Sequence, residues 1–151
     1  MCILVDKQSK VKAAASDIEC YTVVLADTYS QKTTTPFTEI EIEDDVIMHG
    51  KPFVAKGMAK RQVVNYHKDK YDVGFVHTYE TYENACWVAD MFSYINAVMN
   101  ATKHVSIYKC IIPRGTKFIS GMDENGLRCF ASKRIVFLEY TPRQKKQNDN
   151  T

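Results

Sequence analysis

Apolar residues in this chain fall in short alternating runs, and only one segment repeats them at helical spacing. Cys20-Tyr21-Thr22-Val23-Val24-Leu25 is rich in β-branched and aromatic residues and is bounded by Asp27, which predicts a largely buried strand. Phe37 to Glu43 alternates apolar with polar residues, the pattern of a strand with one wet face. Met48-His49-Gly50-Lys51-Pro52 predicts a turn, because glycine and proline so close together do not fit a central strand. Gln62 to Tyr66 and Asp72 to Tyr79 predict two further strands, the second with a bulge or close approach at Gly74.

The helical segment follows. Thr81 is the candidate N-cap, with Glu83 in the first turn where its charge suits the helix dipole. Ala85, Val88, Phe92, Ile95 and Met99 recur every three or four positions and form one apolar stripe, and Asn100 is a plausible stop. Strands are then predicted over Val105 to Ile112, ended by Pro113, over Thr116 to Ile119, and over Lys133 to Glu139. A turn at Arg114-Gly115 and a loop over Gly121 to Gly126 separate them.

One helix among so many strands excludes a doubly wound α/β sheet. The expected fold is α+β: a mainly antiparallel sheet of about six or seven short strands packed on one long amphipathic helix. Residues 1–18 are expected as a loosely ordered lead-in, 19–140 as a single domain, and 141–151 as a disordered polar tail.

Composition narrows the class without naming a function. At 151 residues, 45% hydrophobic and 25% charged, the chain has the make-up of one globular domain. No apolar run approaches the roughly 18 residues that span a bilayer, so a cytoplasmic protein is expected. Five cysteines, an odd number with no CxxC pair, point to reduced, mostly buried thiols. The net charge of +2 implies no strong overall field. Lys56, Lys60, Arg61, Lys68 and Lys70 form a local basic run, read chiefly as a solvated face and secondarily as a nucleic-acid or phosphate surface. Nine Tyr, seven Phe and one Trp are generous for this size and lead us to expect a homo-oligomer.

The usual catalytic signatures GxxxxGK[ST], GxGxxG, HExxH and GxSxG are missing, and the four histidines show no metal-ligand spacing. No catalytic residue, metal or cofactor is therefore assigned. The candidate ligand-binding residues come from two segments. In Gly74-Phe75-Val76-His77-Thr78-Tyr79 a strand delivers His77 and Tyr79 just before the helix start at Thr81, whose unpaired N–H groups suit an anion. In Phe130-Ala131-Ser132-Lys133-Arg134 a hydroxyl precedes two cations. The plain structural alternatives are a histidine satisfied by a backbone carbonyl and a serine that merely begins a strand.

Several motifs, taken in order, carry a resemblance: Asp17 to Val24, Thr35-Pro36-Phe37, Val73 to Tyr79, Lys109-Cys110-Ile111-Ile112-Pro113-Arg114-Gly115-Thr116, and Ala131 to Ile135. They resemble small proteins encoded by gut Bacteroidetes and their phages, whose pattern runs CYKVL, SPY, GFHSY or YLHSY, CIIPKGT and YASKKI. The resemblance spans about residues 1–140 and implies no particular activity. A looser similarity is to the ADP-ribosyltransferase fold, where Ile112 to Thr116 looks like the PxGT turn. The catalytic glutamate that similarity implies is not in place, since Glu139 follows the apolar residues and Glu124 lies in a loop.

The expected function is a non-enzymatic binding protein of phage or mobile-element type. It would sequester a small anionic, nucleotide-like ligand, as a counter-defence sponge does, or bind a host protein. The alternatives are a divergent enzyme on a nucleotide or NAD-like substrate, with His77 paired to Glu124 or Glu139, and a structural module such as a virion component.

Overall fold

The computed structural model describes residues 3–6, 11–35, 41–54, 61–63, 68–71, 75–100, 102–123 and 125–142. In chain order the elements are strands β1 (Ile3–Asp6), β2 (Lys12–Ala13), β3 (Ile18–Asp27), β4 (Thr33–Thr34) and β5 (Glu41–Ile42), then helix α1 (Asp44–Met48). Strands β6 (Pro52–Val54), β7 (Arg61–Val63), β8 (Lys68–Tyr71) and β9 (Val76–Tyr79) precede helix α2 (Tyr82–Val98). Strands β10 (Lys103–Ile112), β11 (Lys117–Met122), β12 (Arg128–Ser132) and β13 (Arg134–Thr141) complete the described chain.

The strands form one sheet ordered β6-β13-β10-β3-β9-β12-β11-β1-β8-β7, with β2 added beside β11, β4 beside β3, and β5 beside β4. Every pairing among the described residues is antiparallel. Its longest ladder joins β3 to β10 in unbroken register from Lys103 opposite Asp27 to Ile112 opposite Ile18. β-branched and aromatic residues make up half of that ladder, as the pleated surface favours. The sheet curls into a half-barrel.

This architecture corrects the expected one. The sheet has thirteen strands rather than six or seven, and it does not lie on one long amphipathic helix. Two cores explain why. On one face Val23, Leu25, Phe75, Tyr79, Val105, Ile107, Ile119 and Ala131 pack with Ala85, Val88 and Ala89 of α2. On the other, Cys20, Val24, Val76, Cys110, Ile112, Phe118, Ile135 and Phe137 pack together with no residue of α2 among them. Because successive side chains alternate faces, a strand such as β3 feeds both cores, and curvature lets the sheet cover itself. Helix α2 thus buries only its first turns, whereas Ile95 and Met99 of the predicted stripe stand in water.

Local signals decide the element ends. Thr81 accepts a hydrogen bond from the Asn84 N–H at 3.2 Å and so caps α2, and Asn100, in left-handed backbone at φ 51°, follows it. Gly115, at φ +84°, takes the turn between β10 and β11 in a conformation that side-chain-bearing residues rarely adopt. The turn predicted at Met48 to Pro52 is the end of α1 followed by Gly50 at φ +62°; Pro52 then opens β6, at the margin of the sheet, where its missing N–H is tolerated. Of the predicted lead-in, Ile3–Asp6 and Lys12–Ala13 are strands. Gly121 and Met122, predicted as loop, belong to β11. Of the tail predicted over 141–151, Thr141 is the last residue of β13, and residues 143–151, like the expected bulge at Gly74, lie outside the described residues. Among the described residues no helix is long and apolar enough to cross a membrane.

Candidate functional site

Strands β9 and β12 hold most of the residues singled out in the sequence, and their register separates them. His77 stands opposite Ala131, and Val76 opposite Ser132. Neighbouring residues on a strand point to opposite faces, so His77 and Tyr79 share the α2 face while Ser132 lies on the other. The histidine and tyrosine of one candidate segment and the serine of the other therefore do not share a face.

Each group is also engaged locally. Buried Ser132 donates to the Arg134 carbonyl at 3.1 Å, and Arg134 Nε donates to Thr116 Oγ1 at 2.9 Å. The Lys133 backbone N–H donates to the Lys117 carbonyl at 2.9 Å. Thr81 is occupied as the α2 cap. The Tyr79 hydroxyl donates to Asp123 Oδ2 at 3.4 Å, and Asp123 Oδ1 accepts from the Asn125 and Leu127 backbone N–H groups at 2.9 Å each. Burial first, and then the Asp123 carboxylate, hold the Tyr79 phenol protonated well above its ordinary range.

His77 is the unusual member. The residue as a whole is half-buried, but both ring nitrogens are sealed from solvent and have no hydrogen-bond partner. Loss of water around the ring pushes its pKa down to about 4, so the imidazole is neutral and a poor anchor for an anion. Neither Glu139 nor any other carboxylate holds it, and Glu139 stands across from Lys109 on the β10–β13 ladder. Next to it Thr78 Oγ1 is likewise without an oxygen or nitrogen partner; the neighbouring group is the Cys20 thiol. Glu124 lies outside the described residues, as do Lys56 and Lys60. Arg61, Lys68 and Lys70 fall on β7 and β8, two adjacent strands at one end of the sheet.

Cys20, Cys86, Cys110 and Cys129 are free thiols, three of them buried. Among the described residues no group of three or more His, Cys, Asp or Glu stands together for a metal.

A cleft of about 370 Å³ lies elsewhere, between the second half of α2, the start of β10 and the end of β13. Ser93, Asn96 and Lys103 present polar side chains to it and Val105, Ile107 and Pro142 supply its apolar lining, whereas His104, Ser106 and Tyr140 border it from strands whose alternation turns their side chains to the other face. Three fixed points shape it. Asn96 Nδ2 donates to the Lys103 carbonyl at 3.2 Å, Tyr82 donates to the Pro142 carbonyl at 3.1 Å, and Tyr140 packs edge-on against Tyr108 with ring centres 5.6 Å apart. Lys103 enters β10 just after the C-terminal end of α2, whose exposed carbonyls favour cations nearby. Sequence reading passed over this cleft because its residues come from three elements distant in the chain and form no motif; Lys103 was its one local trace. No protein-family model, curated protein or solved structure matches the chain.

Proposed function

We propose that this chain is a binding protein for a small anionic, ring-bearing ligand of nucleotide type, taken up in the cleft between α2, β10 and β13. The observation that carries the reading is the cleft's lining: the Lys103 ammonium, the Ser93 hydroxyl and the Asn96 amide border one space of about 370 Å³ whose apolar walls are Val105 and Ile107. That volume lies at the small end of ligand pockets, which combine a few placed polar groups with apolar walls. A cation beside a hydroxyl suits a phosphate or carboxylate, and the apolar walls suit a planar ring. The His77 end of α2 supports the reading less well, because its imidazole is neutral and sealed and the helix N-terminus already has its Thr81 cap.

The test is native mass spectrometry of protein purified from cells, then calorimetric titration with mononucleotides on the wild type and on Lys103→Ala, Ser93→Ala and His77→Phe. Binding is expected in the wild type, tenfold or more weaker in Lys103→Ala, several-fold weaker in Ser93→Ala, and unchanged in His77→Phe. Binding lost only in His77→Phe would place the ligand at β9 instead, and no binding in any form would end the reading.

A further inference from the structure

Helix α2 exposes a continuous apolar flank of which only Met91 packs in part on its own core. Trp87 is 47% exposed, Tyr94 71%, Ile95 43%, Val98 62% and Met99 71%, with half-buried Met91 between them. Trp87, Met91, Tyr94 and Val98 are spaced by four, three and four residues, the seam spacing of paired helices. The buried positions Ala85, Val88 and Ala89 lie on a different side of the helix from that seam, and Ile95 and Met99 continue the buried stripe as exposed residues. Glu83 and Asp90, the only charged residues in α2, border the seam on its outer edge and do not interrupt it.

The geometry points to a second copy of this chain as the occupant, with the two α2 helices packed antiparallel about a two-fold axis. Set antiparallel around its midpoint, the seam meets itself in complementary layers. Trp87 falls opposite Val98 of the second copy and Met91 opposite Tyr94, so a large side chain meets a small one or a flexible one meets a flat one at each level. A two-fold interface needs this self-complementarity, because the same patch serves both partners. The area also fits. These exposed side chains leave roughly 500–600 Å² of mostly apolar surface in water, at the upper limit for a patch on a monomer and most of the roughly 800 Å² per partner that a stable complex buries. A partner of different sequence would have to match a flank that offers no basic group and no charge within the seam, whereas a second copy matches it by construction.

Trp87 is the chain's single tryptophan, so its fluorescence reports the seam directly. The experiment is analytical ultracentrifugation of the full chain over a concentration series, with Trp87 emission recorded on the same samples. The variants are Tyr94→Lys and Val98→Lys, with far-UV circular dichroism as the check on folding. The expected result is a wild-type dimer at micromolar concentration, a Trp87 emission that shifts to the blue as the dimer forms, and at least tenfold weaker association in each variant with unchanged dichroism. A wild type that stays monomeric with red-shifted emission at every concentration overturns the inference. So does a dimer that forms without any change in Trp87 emission, since its interface would lie elsewhere, and that readout does not depend on the variants folding.

Discussion

The Tyr79 hydroxyl reaches Asp123 Oδ2 at 3.4 Å, and through this bond strand β9 is tied to the loop that joins β11 to β12. Asp123 is buried, and its carboxylate is held by the Asn125 and Leu127 N–H groups as well as by Tyr79. Removing the hydroxyl leaves those two donors in place, while removing the carboxylate orphans all three. Tyr79→Phe is therefore expected to cost about 1 kcal/mol and Asp123→Ala about 3 kcal/mol. Urea unfolding measures both, and the double variant should cost less than the sum because the pair shares one bond.

His77 makes stability depend on acid. Its pKa is near 6.5 in an unfolded chain and about 4 in the fold, so the unfolded chain binds the proton more readily. The contribution is fully present above about pH 6.5 and is lost as pH falls toward 4, by about 3 kcal/mol in all. Unfolding curves at intervals from pH 7 to 4 should show this decline, and it should flatten in His77→Gln.

The same residue carries a second expectation at neutral pH. Two buried ring nitrogens without partners cost stability that an apolar ring would recover. His77→Phe is expected to raise stability at pH 7 by about 1 kcal/mol, read as a higher melting temperature. A loss of stability instead would mean that a bound molecule or water satisfies the imidazole.

The thiols should differ sharply in reactivity. Burial pushes Cys20 and Cys129 up to about 12 and raises Cys110 well above its usual range, whereas Cys86 is only part-buried on α2. Since the thiolate is the reactive form, alkylation of native protein followed by peptide mass spectrometry should modify Cys86 first among these four. Cys20 and Cys110, directly opposite each other on β3 and β10, should react only as the sheet opens.

Gly115 tests the turn between β10 and β11. Its φ of +84° disfavours any side chain although the space around it is open, so Gly115→Ala is expected to cost about 1 kcal/mol through the backbone alone. Thermal unfolding would register it, with no change in ligand titration.

Much of the secondary structure was legible in the residues because its causes are local. The Cys20 to Leu25 run, the Thr81 cap, the Pro113 stop and the Arg114-Gly115 turn all act within a few positions, and the elements begin or end there. β12 went unpredicted because Arg128 to Ser132 divides its small residues between two cores, Cys129 and Ala131 on one face and Ser132 on the other, so neither face shows an apolar alternation. The α2 stripe was visible too, but periodicity states only that a helix has an apolar side, not how far along it the sheet extends.

The chain by itself determined that short antiparallel strands and one central helix would form, since propensity, capping and turn chemistry depend on neighbours in sequence. Only the tertiary structure decided that the sheet would curl over a second core, that His77 and Ser132 would stand on opposite faces, and that Ser93, Lys103 and Tyr140 would border one cleft. Those outcomes depend on strand register and sheet curvature. A one-residue slip in register exchanges the two faces of a strand, and such choices are set by contacts between residues far apart in the chain.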